Sequence, residues 1–155
     1  MLKRAPDVQP SGEDIIKRVK KAGLKGPTSI MTWIDDAVGA VLKKLDETGL
    51  ADDTVIMLMS DHQTRGKFTP YEKGVKVPFI VKWPGKIKPR SECKHLVGNI
   101  DVTATILDVC NVIPIGNVAK DGKSFLSQLI GNKIEPLRDS LLIEMGYSKT
   151  VVTDK

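Results

Sequence analysis

Five consecutive apolar residues, Val55-Ile-Met-Leu-Met59, stand between the acidic pair Asp52-Asp53 and the polar run Ser60-Asp61-His62-Gln63. An apolar run this short, polar at both ends, predicts a strand over 54–60 buried on both faces. Upstream, Ile30, Ile34, Val38, Val41, Leu42 and Leu45 recur at helical spacing and predict a helix from about Thr28 to Thr48, stopped by Gly49. A helix joined by a short turn to a buried strand is the usual prelude to a parallel sheet, which makes the fold class α/β. In open α/β sheets, ligands bind beyond the carboxyl ends of the strands. Asp61 and His62 fall at that place.

The residue types suit a charged ligand. A hard divalent cation takes carboxylate oxygen, and an imidazole adds a nitrogen or contacts the substrate directly. Lys67, a little further on, is a compact positive charge fitted to an anionic group. From these residues alone a plainer reading stays open, in which Asp61 closes a turn and His62 is solvated.

The remaining segments extend the alternation of helix and strand. Ser11 caps a short helix to about Ala22, ended by Gly23, behind a loose polar stretch over 1–11. Lys25-Gly-Pro27 is a break, and Asp35-Asp36 falls opposite the apolar stripe of the long helix, on a solvated face. Residues 63–73 form a loop with one helical turn near 70–72. A second strand covers 77–82, with Pro78 at its start or on a sheet edge. Trp83-Pro-Gly85 turns the chain into a surface loop over 86–94 that carries His95 just beyond it. Asn99 or Asp101 caps a helix to about Val109, with Ile100, Ala104, Leu107 and Cys110 facing inward. A short helix over 124–130 precedes strands at 141–144 and 150–153. The last strand runs to the chain end with an unpaired edge, which reads as part of a larger chain.

Composition narrows the classes of function. A chain of 155 residues, 41% apolar, holds one domain with a substantial core. The net charge is +5, with basic residues at Lys17-Arg18, Lys20-Lys21 and among Lys82, Lys86, Lys88, Arg90 and Lys94. Nineteen acidic residues are interspersed and aromatics are only 5%, so a solvated basic face is expected and nucleic acid is not a partner. No apolar run approaches the roughly 20 residues that span a bilayer, so no membrane association is expected. The N-terminus lacks the apolar segment of a secretory signal, and the chain as written stays where it is made. Cys93 and Cys110 give neither a disulfide framework nor metal-ligand spacing.

Several ordered blocks resemble one family. They are Ile34-Asp-Asp-Ala-Val-Gly-Ala-Val-Leu42, Leu50-Ala-Asp-Asp-Thr-Val55, Ser60-Asp-His62, Gly66-Lys-Phe-Thr-Pro-Tyr-Glu72, Val77-Pro-Phe-Ile-Val81 and Trp83-Pro-Gly85. Ile100-Asp101, Thr105-Ile-Leu-Asp108, Asp121-Gly-Lys-Ser-Phe125, Arg138-Asp-Ser140 and Glu144-Met-Gly146 continue the series. Together, over about 28–155, they resemble the formylglycine-dependent sulfatases of the alkaline-phosphatase-like superfamily. The resemblance implies a partial three-layer α/β sandwich, truncated at both ends. Residues 1–27 would form a loose segment with a short helix, and 28–155 part of the catalytic domain. It implies Asp61 as a ligand of a divalent cation, usually Ca2+, and His62 as the neighbour that contacts the metal or the ester oxygen. It implies Lys67 as the lysine that binds the sulfate, and a sulfate ester as substrate of the complete enzyme. Arg65 is a weaker candidate for the substrate anion.

The departures bear on activity. The family's nucleophile is a Cys, modified to formylglycine, in a Cys-x-Pro-x-Arg motif, and this chain has none: Cys93 precedes Lys94-His95-Leu96 and Cys110 precedes Asn111-Val112-Ile113. The paired aspartates that complete the family's metal site are missing as well, and Gln63 and Ala104 stand where glycine and proline are common. The expectation is a sulfatase fragment carrying half a site. It would be served by a complementary N-terminal half or by self-association through exposed strand edges. Two other readings stand beside it: a phosphodiesterase or phosphomutase piece of the same superfamily, and a non-enzymatic anion-binding module. Complete family members are commonly periplasmic, secreted or lysosomal.

Overall fold

In the computed structural model of the chain, residues 10–25, 28–63, 66–131 and 135–153 are described. The chain divides into two compact units between Thr54 and Val55. Parts of the loose N-terminal stretch and of the Lys25-Gly-Pro27 break lie outside the described residues, as does Arg65. Among the described residues no helix is long and apolar enough to cross a membrane.

The first unit is a pair of helices. α1 (Gly12–Lys21) begins at Ser11, whose hydroxyl oxygen accepts from the Asp14 amide at 3.2 Å. Ile15 and Val19, one turn apart, form its buried face. Gly23 takes φ +69 and lets the Leu24 amide return to the Val19 carbonyl, which closes the helix. α2 (Thr28–Glu47) packs against α1 and ends before Gly49, also left-handed. The Arg18 guanidinium donates to Asp36 Oδ2 at 2.7 Å, and only 15% of the Asp36 side chain is exposed. This corrects the expectation of a solvated Asp35-Asp36 pair: Asp36 lies on the side of α2 that α1 covers. That hydrogen bond, with the Asp36 charge, raises the Arg18 pKa above its ordinary value. The apolar stripe stays open instead. Ile30, Ile34 and Val41 are exposed, and no residue of α2 is fully buried.

The second unit opens with β1 (Ile56–Met59). Its partner is β2 (Phe79–Lys82), which runs antiparallel with Met57 opposite Val81 and Leu58 opposite Ile80. The expected parallel sheet is therefore absent from this pair. A parallel crossover needs a substantial helix to carry the chain back. Among the described residues the segment between these strands holds only the one-turn α3 (Glu72–Val75), so the chain returns along the same edge. The Ser60 amide extends the ladder by donating to the Pro78 carbonyl at 3.3 Å. β1 is also not buried on both faces, since Leu58 and Met59 are exposed. Pro78 immediately precedes β2, where its missing N–H breaks no ladder bond.

α4 (Ile100–Val109) and α5 (Leu126–Leu129) follow. β3 (Ser140–Met145) and β4 (Ser148–Thr153) then form a hairpin, closed by Gly146 at φ +57 and Tyr147, as in a type II′ turn. β4 thus has β3 as its partner, where the sequence left it only an open edge.

The centre of this unit is partly polar. Phe125 is buried and meets the Phe79 ring edge-on, with centroids 5.7 Å apart at 78°. The buried residues of α4 are Asp101 and Thr105, one turn apart. The expected inward set fails at both ends: Ile100 and Cys110 are exposed. The helix turns its hydrogen-bonded Asp101–Thr105 stripe inward instead. Thr105 Oγ1 donates to the Asp101 carbonyl at 2.7 Å and accepts the Phe125 amide at 3.1 Å. Close backbone contact at Gly122 explains its lack of a side chain, since a Cβ there would clash with the Ile100 carbonyl oxygen.

Candidate metal and anion site

The end of β1 turns sharply through Ser60-Asp61-His62-Gln63. The Ser60 hydroxyl donates to the His62 carbonyl at 2.9 Å, and the His62 amide donates to Asp61 Oδ1, also at 2.9 Å. These short-range bonds hold the two side chains on one side of the turn. His62 Nδ1 lies 3.0 Å from the Gln63 carbonyl oxygen. A carbonyl only accepts, so Nδ1 carries the proton. In the neutral ring Nε2 then presents its lone pair, 3.4 Å from Asp61 Oδ2. Asp61 is mostly exposed and His62 partly so, which leaves both donor atoms reachable from solvent. Among the described residues no group of three or more His, Cys, Asp or Glu could hold a metal ion. The pair therefore offers one carboxylate and one imidazole, a partial donor set.

Lys67 belongs to the loop that follows, over 66–76. Its ammonium lies 5.4 Å from the centroid of the Phe68 ring. No hydrogen bond or ion pair joins it to Asp61 or His62 among the described residues. The structure brings the first two candidates together and places the third on a separate part of the loop. One residue anchors both stretches. The Gln63 amide donates to the Gly74 carbonyl at 3.3 Å, and Gly74 is buried against the Gly66 and Thr69 carbonyl oxygens. A Cβ at Gly74 would clash with both of those oxygens. The Gln63 side-chain amide also donates to the Lys76 carbonyl at 2.6 Å. Within α3, Lys76 donates to Glu72 at 2.7 Å, which lowers the Glu72 pKa and raises that of Lys76.

The sequence reading gave Asp101 to a helix cap, and the structure gives it more. Asn99 occupies the N-cap and makes no side-chain capping bond. Asp101, the second residue of the helix, accepts the Gly98 amide on Oδ2 and the Lys123 amide on Oδ1, both at 2.8 Å. The Arg138 guanidinium closes on the same Oδ1. Three blocks far apart in sequence thus meet at one buried carboxylate, which is structural. The signal was available: a carboxylate among apolar helical residues, with an arginine downstream to neutralise it.

Comparison with known proteins places the chain. The sequence model of the family described as Sulfatase matches residues 28–112, more than half of it. An ulvan-active sulfatase of Formosa agariphila is 38% identical over 94 residues, 59% of this chain and 18% of that protein. Human N-acetylglucosamine-6-sulfatase is 36% identical over 129 residues, 78% of this chain and 23% of that protein. Rat steryl-sulfatase is 32% identical over 120 residues, 64% of this chain and 21% of that protein. The chain spans about a fifth of the length of these curated relatives. A solved sulfatase structure from work on glycosaminoglycan metabolism by Bacteroides thetaiotaomicron covers 81% of this chain and 31% of its own, with a TM-score of 0.71 at 23% identity. The α/β fold is therefore part of an alkaline-phosphatase-like domain, and the chain belongs to the sulfatase family.

Proposed function

We propose that residues 28–155 are the piece of a sulfatase catalytic domain that contributes part of its metal site and its sulfate-binding lysine. Asp61 and His62 hold the divalent cation, Ca2+ in this reading, and Lys67 binds the sulfate of a sulfate ester. The observation that carries the reading is the convergence of His62 Nε2 and Asp61 Oδ2 at 3.4 Å, with the imidazole proton engaged on the other nitrogen. Two facing lone pairs at that separation suit a shared cation better than they suit each other. The donor set fits a cation incompletely, because calcium takes about six to eight oxygens and this pair supplies a minority of them.

When bound, the cation supplies Lewis acidity toward the sulfate oxygens. Asp61 anchors it through its carboxylate. His62 keeps its Nδ1 proton on the Gln63 carbonyl and offers the Nε2 lone pair to the cation; contact with the ester oxygen instead would require a proton on Nε2. Lys67 balances the sulfate charge as it develops. Neither Cys93 nor Cys110 lies in a nucleophile motif, so a complementary segment must supply the nucleophile. The exposed stripe of Ile30, Ile34 and Val41 on α2 supports such a partner. The likeness to the N-acetylglucosamine-6-sulfatases, which match 78% of the chain, supports a sulfated sugar as substrate.

Calorimetric titration of the chain with calcium chloride tests the cation assignment. Weak binding is expected, in the range of about 10⁻⁴–10⁻³ M or above, and it disappears in Asp61→Asn. Undiminished calcium binding by that variant would remove the assignment.

A further inference from the structure

The residue after the proposed sulfate lysine stands in an unusual backbone setting. Phe68 has φ +65, a region that bulky side chains rarely occupy. Nearby Gly66 takes φ +97 without such strain. Burial does not compensate Phe68, because its side chain is 80% exposed. A glycine or asparagine would make this turn more easily, so neither the turn nor the core explains an aromatic residue here. The ring meets the ammonium of Lys67, at cation–π range. Tyr71, also exposed, lies on the same loop. A strained residue that presents a ring to solvent beside a cation fits a loop built to meet a ligand.

We propose that Phe68 is a substrate-contact residue, whose ring stacks on the sugar ring of the substrate while Lys67 takes its sulfate. The inference rests on the reading of Lys67 given above. The sulfate itself is not what the ring meets, because the face of an aromatic ring carries negative charge and repels an anion. The face suits the slightly positive C–H groups on one side of a pyranose. With the ammonium over the ring and its N–H groups free to donate, sulfate and sugar would be held by adjacent residues. Phe68 would then discriminate a sulfated sugar from sulfate alone.

NMR titration of the chain with N-acetylglucosamine 6-sulfate and with sodium sulfate tests this, in the wild type and in Phe68→Ala, Phe68→Tyr and Lys67→Ala. In the wild type the sugar sulfate should bind roughly three- to tenfold tighter than sulfate, and its ring protons should shift upfield. Phe68→Ala should abolish both the surplus and the shift, so that the sugar sulfate binds no tighter than sulfate, and Phe68→Tyr should keep both. A surplus or shift missing from the wild type, or surviving in Phe68→Ala, overturns the role of Phe68. Sulfate binding indifferent to Lys67→Ala overturns the reading of Lys67 instead, whatever Phe68 does.

Discussion

Asp101 and Arg138, 37 residues apart, form an ion pair in which the carboxylate has no exposed surface and the guanidinium retains 10%. The same carboxylate accepts two backbone amides, from Gly98 and Lys123. One side chain therefore fixes the start of α4, the approach to α5 and the lead into β3. Removing one partner of a buried pair strands the other charge, at about 3–5 kcal/mol. Asp101→Asn should destabilise the second unit by that amount in urea denaturation. Glu92→Gln, at an exposed carboxylate of the same unit, should shift it by less than about 0.5 kcal/mol. Equal stability of the two variants would show that the Asp101 charge is dispensable.

Gly74 and Gly39 should respond to the same substitution with opposite signs. A Cβ at Gly74 would clash with the Gly66 and Thr69 carbonyl oxygens, and both belong to backbone that cannot swing away as a side chain can. Gly74→Ala should destabilise by about 1–3 kcal/mol and lower sulfate affinity, because the displaced backbone carries Lys67. Gly39 lies inside α2, and a Cβ there meets nothing within 4 Å. Gly39→Ala should stabilise by about 0.5–1 kcal/mol through the smaller entropy of its unfolded chain. Thermal melting of the two variants decides the point.

The Glu72–Lys76 pair gives α3 a pH dependence. Lys76 lowers the Glu72 pKa below its ordinary 4.5, so the pair's stabilisation is present above that pH and fades as the pH falls through the lowered value. Glu72 raises the Lys76 pKa above its ordinary 10.5, so on the alkaline side the contribution is lost as the pH rises through the raised value. Both groups are exposed, so the effect is small and screened by salt. The helical chemical shifts of residues 72–75 should weaken below pH 4.5, more at low salt than at high. Glu72→Gln should show no such acid transition.

What the sequence disclosed follows from which interactions are local. Ser11, Gly23, Gly49 and Pro78 act within a few residues of themselves, and the helix and strand ends they mark are found close to where they were expected. The direction of β2 was not legible in the same way. It depends on how much helix the loop over 60–78 forms, and the apolar pattern of a strand is the same in either direction. The inward face of α4 was misread because apolar spacing favours Ile100 and Cys110, whereas Arg138 and the Lys123 amide make Asp101 the residue to bury. At the site, Asp61 and His62 are sequence neighbours and their meeting could be foreseen. The anchor that Gly74 provides for Gln63 and Gly66 has no sequence periodicity to reveal it.

The chain on its own should bind without turning over. Hydrolysis of a sulfate ester needs a nucleophile at sulfur, and neither cysteine stands in the Cys-x-Pro-x-Arg sequence that would furnish it. Cys93 and Cys110 are both exposed, and neither is hydrogen-bonded to a general base among the described residues. In the proposed reading Asp61, His62 and Lys67 hold a cation and an oxyanion, but positioning without an attacking group leaves the S–O bond intact. Incubated with an aryl sulfate and calcium, the chain should release no phenol above the buffer rate. A burst of phenol from the wild type that vanishes in Asp61→Ala would mean that the chain carries a nucleophile outside the family's motif. The same burst retained in Asp61→Ala would place the reaction away from the turn at the end of β1.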